Sequence, residues 1–333
     1  MYLTPFESLY YIGYSFKKRY TLKRRKQLPF KVISIGNITV GGTGKTPATI
    51  AVAEEAQKRG FRPVILTRGY KGKAKGPCFV TARDSRAPAE QFGDEPVLMA
   101  ERLKGVPVVK CADRYNGGLF ALNSIPPDAR APFVFILDDG FQHWKLHRDV
   151  DIVLVDGLNP FGNRRMLPLG PLRGPIEELK RADAFVVTKS RNKAAAAELR
   201  GINPDVPVFF SGYGGLRIND GAGNEFPAER LRYRKAYAFC GIANPASFKQ
   251  TVATLPSELS GLKAYGDHHR YTESDILSLE KKREAERADF LITTEKDMVK
   301  LRELKIPAHL LCLRVGFKVE AAFFDYIFQL LFR

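Results

Sequence analysis

The chain lacks the features that commit a protein to a membrane span, a disulfide framework or a zinc site. None of its 333 residues falls in an apolar run approaching the roughly 18 to 20 needed to cross a bilayer. At the N-terminus apolar residues precede basic ones, the reverse of a signal peptide, so the expectation is a protein that does not span the membrane. Four cysteines, Cys78, Cys111, Cys240 and Cys312, lie far apart with no C-x-x-C pair, which fits reduced thiols in a cytosolic compartment. There is no internal repeat and no low-complexity tract. What is present is a chain that is 44% hydrophobic and long enough for about two domains. A net charge of +17, from 53 Lys and Arg against 36 Asp and Glu, implies an anionic partner. Nucleotide, nucleic acid and acidic lipid all fit that charge.

The most informative stretch is KVISIGNITVGGTGKTP, residues 31–47. An apolar run from Val32 to Ile35 breaks into a glycine-rich turn, and a helix is expected from about Pro47. This is the strand, glycine loop, Lys-Ser/Thr and helix order of a P-loop. Gly41, Gly42, Thr43 and Gly44 would cradle a polyphosphate, Lys45 would reach the β- and γ-phosphates, and the Thr46 hydroxyl would help bind Mg²⁺. The plainer alternative is a glycine turn before a helix, since Thr39 stands where the motif has its first glycine.

Further candidates sit at the ends of apolar strands, where open α/β sheets bind ligands. Pro63 to Thr67 ends in Arg68-Gly69-Tyr70, which places Arg68 and Tyr70 to meet a substrate, and Lys71, Lys73 and Lys75 follow in a basic loop. Val106 to Val109 is followed by a second Arg-Tyr pair, Arg114 and Tyr115. Pro132 to Leu137 ends in Asp138-Asp139, the Walker B arrangement, with Gln142 and His143 next as candidate substrate contacts. Asp94 falls at a helix start, where it is either a capping carboxylate or a base toward a substrate hydroxyl. His268, beside Asp267, is either a loop histidine with local hydrogen bonds or a residue reaching across a cleft.

In residues 1–30, Thr4, Pro5 and Glu7 form a capping box, and a helix from there aligns Leu3, Phe6, Leu9, Tyr10, Gly13 and Phe16. Lys17, Lys18, Arg19, Lys23, Arg24, Arg25 and Lys26 follow. Such a helix suits either an anionic membrane surface or docking on the protein's own core. Residues 31–208 read as a doubly wound α/β domain of P-loop type and 209–235 as an extended or hairpin connector. Residues 236–333 read as a smaller α/β domain whose last helix either stays with it or packs back on the first.

Together GNITVGGTGKTP, RGY, GDEP, DRYNGG, LDDGFQHWKLHRD, GDHHRYT and TTEKDMVKL resemble the tetraacyldisaccharide 4′-kinase family, from the N-terminal helix to about residue 300. The resemblance implies transfer of the ATP γ-phosphate to the 4′-hydroxyl of a tetraacylated glucosamine disaccharide 1-phosphate, in lipid A biosynthesis, at the cytoplasmic face of the bacterial inner membrane. It also implies Asp94 as the base, His268 as its assistant, Lys45 and Thr46 as the phosphate and magnesium residues, and Asp138 and Asp139 as the Walker B pair. The family's R-E-P triplet here reads Arg173-Gly174-Pro175, which leaves Glu177 or Glu178 as the candidate replacement carboxylate. Two other classes compete. One is a P-loop GTPase or ATPase of the metallochaperone or assembly-switch type, with Thr188-Lys189-Ser190 as a weak guanine-reading loop. The other is a nucleic-acid binder, which the clustering of charge beside an aromatic helix disfavours.

Overall fold

The computed structural model describes residues 4–81, 88–126, 128, 131–220 and 223–332. Leu3, assigned above to the apolar stripe, lies outside them. The strands are β1 (Lys31–Gly36), β2 (Arg62–Thr67), β3 (Cys78–Phe79), β4 (Val108–Lys110), β5 (Phe133–Asp138), β6 (Val150–Asp156) and β7 (Ala184–Thr188). They continue with β8 (Val208–Asp220), β9 (Glu225–Pro227), β10 (Lys235–Cys240), β11 (Glu258–Ala264), β12 (Phe290–Thr294) and β13 (Leu310–Val319). The helices are α1 (Pro5–Leu22), α2 (Lys45–Lys58), α3 (Pro88–Phe92), α4 (Asp94–Arg102) and α5 (Arg114–Ser124). After these come α6 (Lys193–Ile202), α7 (Pro245–Val252), α8 (Glu273–Ala285), α9 (Glu295–Leu301) and α10 (Ala321–Leu330).

All these strands join one sheet, ordered β11-β10-β12-β13-β8-β7-β6-β1-β5-β2-β4-β3, with β9 pairing to β8. The apolar strands β5 and β6 are buried along their whole length, as expected where helices cover both faces of a parallel sheet. β1 lies between β5 and β6, so the loop after it opens at the point where strand order reverses, the usual ligand crevice. β10, β11, β12 and β13 form a second parallel block. The stretch read as a connector holds β8, which pairs parallel to β7 and antiparallel to β13 and so sews the two blocks into one sheet. Its glycines and polar residues have low strand propensity, and cross-strand pairing overrides that local preference.

α10 buries Phe323, Ile327 and Phe328 in the cluster that holds Ile33, Ile136 and Val186, so the C-terminal helix packs back on the first block. Burial of three such side chains contributes about 1.5–3 kcal/mol each. α1 starts with the expected Thr4 and Glu7 capping box. One face docks: the buried Glu7 accepts from Met166 N and Arg165, the Tyr10 hydroxyl donates to Arg173 O at 2.9 Å, and Tyr14 packs edge-on against Trp144. The opposite face leaves Phe6, Leu9, Ile12 and Phe16 in solvent. The docking reading therefore holds for one face, and Tyr10 belongs to that face and not to the apolar stripe, while the other face is left without a partner within the described residues. Among the described residues no helix is long and apolar enough to cross a membrane.

Candidate active site

The glycine loop leaves β1 through Asn37, whose side-chain amide donates to Thr39 O at 2.7 Å and to the Thr39 hydroxyl at 3.3 Å. Thr39 bridges to Leu172, and Val40 N donates to Pro171 O at 2.7 Å. The first limb of the loop is thus strapped to the proline-rich segment in ordinary backbone conformation, which explains a threonine where the general motif has glycine. Positive φ is confined to Gly41 (113°) and Gly44 (86°) within the loop. A Cβ added to Gly41, Gly42 or Gly44 would meet nothing within 4 Å, so the cradle is open on the side a polyphosphate would occupy. α2 begins at Lys45, two residues before the expected start, which aims its N-terminal amides at the same space. Lys45 Nζ lies 3.2 Å from Asn37 Oδ1 and 3.6 Å from Asp139 Oδ1. Thr46 follows at the helix start.

The Walker B aspartates have different surroundings. Asp138 is buried and accepts from the Thr67 hydroxyl at 3.0 Å and the Thr49 hydroxyl at 3.4 Å. Burial, then the nearby Glu95 and Asp139 charges, push its carboxyl up to about 6. Asp139 turns out of β5 with φ 50° and is gripped by one Arg173 nitrogen at 2.9 and 3.0 Å. Burial alone would raise its carboxyl, but Lys45 and Arg173 outweigh it and hold it below the usual range. Among the described residues no three His, Cys, Asp or Glu side chains are grouped to hold a metal by themselves. A threonine hydroxyl and two carboxylates beside a phosphate cradle are all-oxygen donors, the type that suits a cation that keeps several waters and takes phosphate ligands.

Gly174 is where a third carboxylate was expected, and a Cβ there would sit 2.6 Å from the Tyr14 hydroxyl, so docking of α1 fills that space. Of the two candidate replacements, Glu178 is already engaged by Lys18 of α1 and by Arg181. Glu177 is exposed and lines an open cavity of about 450 Å³ against Tyr11 and Lys18.

Asp94 is the first residue of α4, and the cap position belongs to Gly93, with φ 94°. That one-residue shift corrects the capping reading and leaves Asp94 Oδ2 for His268 Nδ1, 2.9 Å away across the two blocks. Burial pushes the Asp94 carboxyl up, yet the His268 hydrogen bond and Lys296, 4.0 Å away, bring it below its ordinary value. Lys296 also pairs with Glu95 at 2.9 Å, and these carboxylates with burial opposing them push the lysine above its ordinary value. The Tyr70 ring lies 5.5 Å from that of His268, and Arg68 is exposed beside it in sequence.

The other candidates fall into different roles. Gln142 donates to Asn37 O at 2.8 Å and buttresses the loop. Arg114 is buried, where desolvation lowers its pKa against the pull of Asp138 and Asp139, so its charge is directed at the Walker pair. His143 is driven down to about 3 by burial and by Arg114 and Arg148, and its imidazole is neutral at physiological pH. Tyr115 stands apart, packed in the cluster around Leu28 with Lys26 over its ring at 4.6 Å. Lys189 of the candidate guanine-reading loop is ion-paired to Asp156, and the Thr188 hydroxyl donates to Thr43 O at 3.0 Å. That loop is therefore a support for the glycine turn. Asn37, Glu95, Arg173 and Lys296 complete the site without having been singled out in the sequence, although each lies within or beside one of its motifs.

Comparison with known proteins places the whole chain in a family. The model of the tetraacyldisaccharide-1-P 4'-kinase family matches residues 1–331. The tetraacyldisaccharide 4'-kinase of Syntrophus aciditrophicus is 36% identical over 93% of this chain and 86% of its own. That of Geobacter metallireducens is 41% identical over 84% of this chain and 80% of its own. The crystal structure of LpxK from Aquifex aeolicus in complex with ATP superposes with a TM-score of 0.74 at 32% identity, covering 98% of both chains. With its glycine loop, Walker pair and Asp94–His268 contact on that shared fold, the chain belongs to the tetraacyldisaccharide-1-P 4'-kinase family.

Proposed function

We propose that this protein is an ATP-dependent kinase that phosphorylates the 4′-hydroxyl of a tetraacylated glucosamine disaccharide 1-phosphate. The observation that carries the reading is the 2.9 Å contact between Asp94 and His268, a proton acceptor held across the two blocks, with its neighbour Glu95 near enough to act on the Asp138 carboxyl. The loop amides and Lys45 hold the β- and γ-phosphates of ATP and spread the charge of a loose transition state. Mg²⁺, held by the Thr46 hydroxyl with Asp138 and Asp139, supplies further neutralisation of that charge when bound. The 4′-oxygen forms a bond to the γ-phosphorus as the bond from that phosphorus to the β,γ-bridging oxygen breaks. The hydroxyl proton passes to the Asp94 carboxylate, which is acceptor-only when ionised, so His268 donates from Nδ1 and fixes its orientation. Tyr70 and Arg68 border the acceptor, while Arg114, Gln142 and His143 support the nucleotide side.

A peripheral position at the cytoplasmic face of the inner membrane is part of this proposal, and the exposed apolar face of α1 followed by its basic block, which suits an anionic membrane surface, supports it. In this reading residues 31–208 together with the C-terminal helix α10, and residues 236–320, are the two lobes that close on the substrate, with 209–235 between them. Labelled ATP incubated with the disaccharide 1-phosphate lipid should give a 4′-phosphorylated product. Intact ATP binding without that product overturns the assignment.

A further inference from the structure

We infer that Asp297 and Lys300 are positioning residues that hold the backbone carrying His268; this rests on the reading of His268 as partner of the base. His268 has φ 60°, a left-handed conformation that residues with a Cβ rarely adopt, so something must hold it. Its own N–H donates to Gly241 O at 3.0 Å. The flanking groups of Gly241 are held from below by α9. Gly241 N donates to Asp297 Oδ2 at 3.0 Å, and Lys300 Nζ donates to Gly241 O at 3.3 Å. The two clamping side chains hold each other, with Lys300 Nζ 2.6 Å from Asp297 Oδ1.

Asp297 is completely buried, and its Oδ2 also accepts from the Thr294 hydroxyl at 2.7 Å. The fit is tight. A Cβ on Gly241 would come within 3.0 Å of His269 Cβ and 3.2 Å of both Asp297 Oδ1 and the Tyr271 hydroxyl. A buried ion pair gives little net stability over apolar packing of the same shape, so stability is a weak reason for this one. Its geometric consequence is direct. The pair sets the tilt of Gly241, which sets His268 N–H, which sets the 2.9 Å reach of the imidazole to Asp94 on the other block. The TTEKD motif at the end of β12 thereby acts twice: Lys296 faces Asp94, and Asp297 steadies the partner of Asp94 from behind.

A double-mutant cycle tests this. Asp297→Asn keeps the shape and removes the charge that fixes Lys300. It should lower kcat by about tenfold or more with the ATP KM unchanged, and by less than about twofold in a His268→Ala background, because the two substitutions act on one element. In histidine-labelled protein the ¹⁵N resonances of the His268 imidazole should move in Asp297→Asn while those of His309, paired to Glu280, stay in place. Equal losses in both backgrounds with unmoved His268 resonances overturn the inference. Full turnover in His268→Ala would remove the acceptor-pair reading instead, and the imidazole resonances would then decide the positioning role by themselves. If Asp297→Asn does not fold, Lys300→Gln breaks the same link from the other side and is read by the same cycle.

Discussion

Replacing Phe6, Leu9 and Phe16 together by serine should weaken binding to anionic vesicles, and abolish it at high salt, without unfolding the protein. These side chains are 68%, 72% and 74% exposed, so the substitutions remove almost no packing within the chain. Complete burial of one such side chain contributes about 1.5–3 kcal/mol, and sinking to the headgroup boundary realises roughly half of that. Three of them then contribute about 2–4 kcal/mol to partitioning, roughly 30-fold to 1,000-fold. Lys17, Arg19, Lys23, Arg24, Arg25 and Lys26 add about 1 kcal/mol each close to the surface, a contribution that salt screens. Flotation with vesicles containing anionic lipid, at low and high salt, separates the two parts. The parent should bind and weaken with salt, and the triple variant should float less at low salt and not at all at high salt, while melting at the parent temperature. A variant that floats like the parent refutes the membrane role of this face, and one that melts early shows that the face packs on the protein.

Two further perturbations probe the supports of the site. Gly174→Glu places a side chain where a Cβ already lies 2.6 Å from the Tyr14 hydroxyl, so overpacking should cost about 1–3 kcal/mol in urea unfolding. Adding Tyr14→Ala should recover part of that cost, and additive losses would contradict the clash. Glu101→Gln tests a buried carboxyl pushed by burial up to about 7, against the opposing pull of Arg302. The unfolded carboxyl ionises near 4.5 and the folded one near 7, so the folded state binds the extra proton between them and the parent loses stability as pH rises through that window. Allowing for partial solvation, the stability of the variant relative to the parent should improve by roughly 1 kcal/mol from pH 5 to pH 8. A difference that does not change with pH would refute the burial argument.

The parallel core was legible because its strands are continuous apolar runs bounded by motifs: β1, β2 and β5 lie within a residue or two of where those runs place them. β8 reads only as an extended or hairpin connector, because its glycines and polar residues carry no strand pattern, and its antiparallel pairing to β13, about 100 residues on, is not encoded locally. At the site, the glycine loop and Walker pair could be read locally, since their chemistry lies in contiguous residues. Whether Asp94 caps a helix or faces a substrate could not, because the answer lies in Gly93 taking the cap and in His268, 174 positions on. Thr39 and Gly174 looked like departures from motifs. One is a strap to Leu172 and the other makes room for α1.

The claim at the centre of the account is that Asp94 takes the proton of the acceptor hydroxyl. Single-turnover phosphoryl transfer by Asp94→Ala, with ATP affinity measured on the same preparation, tests it most directly. Turnover should fall by about a hundredfold or more, the scale of a positioned general base, with ATP binding retained. Near-normal turnover, or loss of ATP binding in step with turnover, would contradict the assignment.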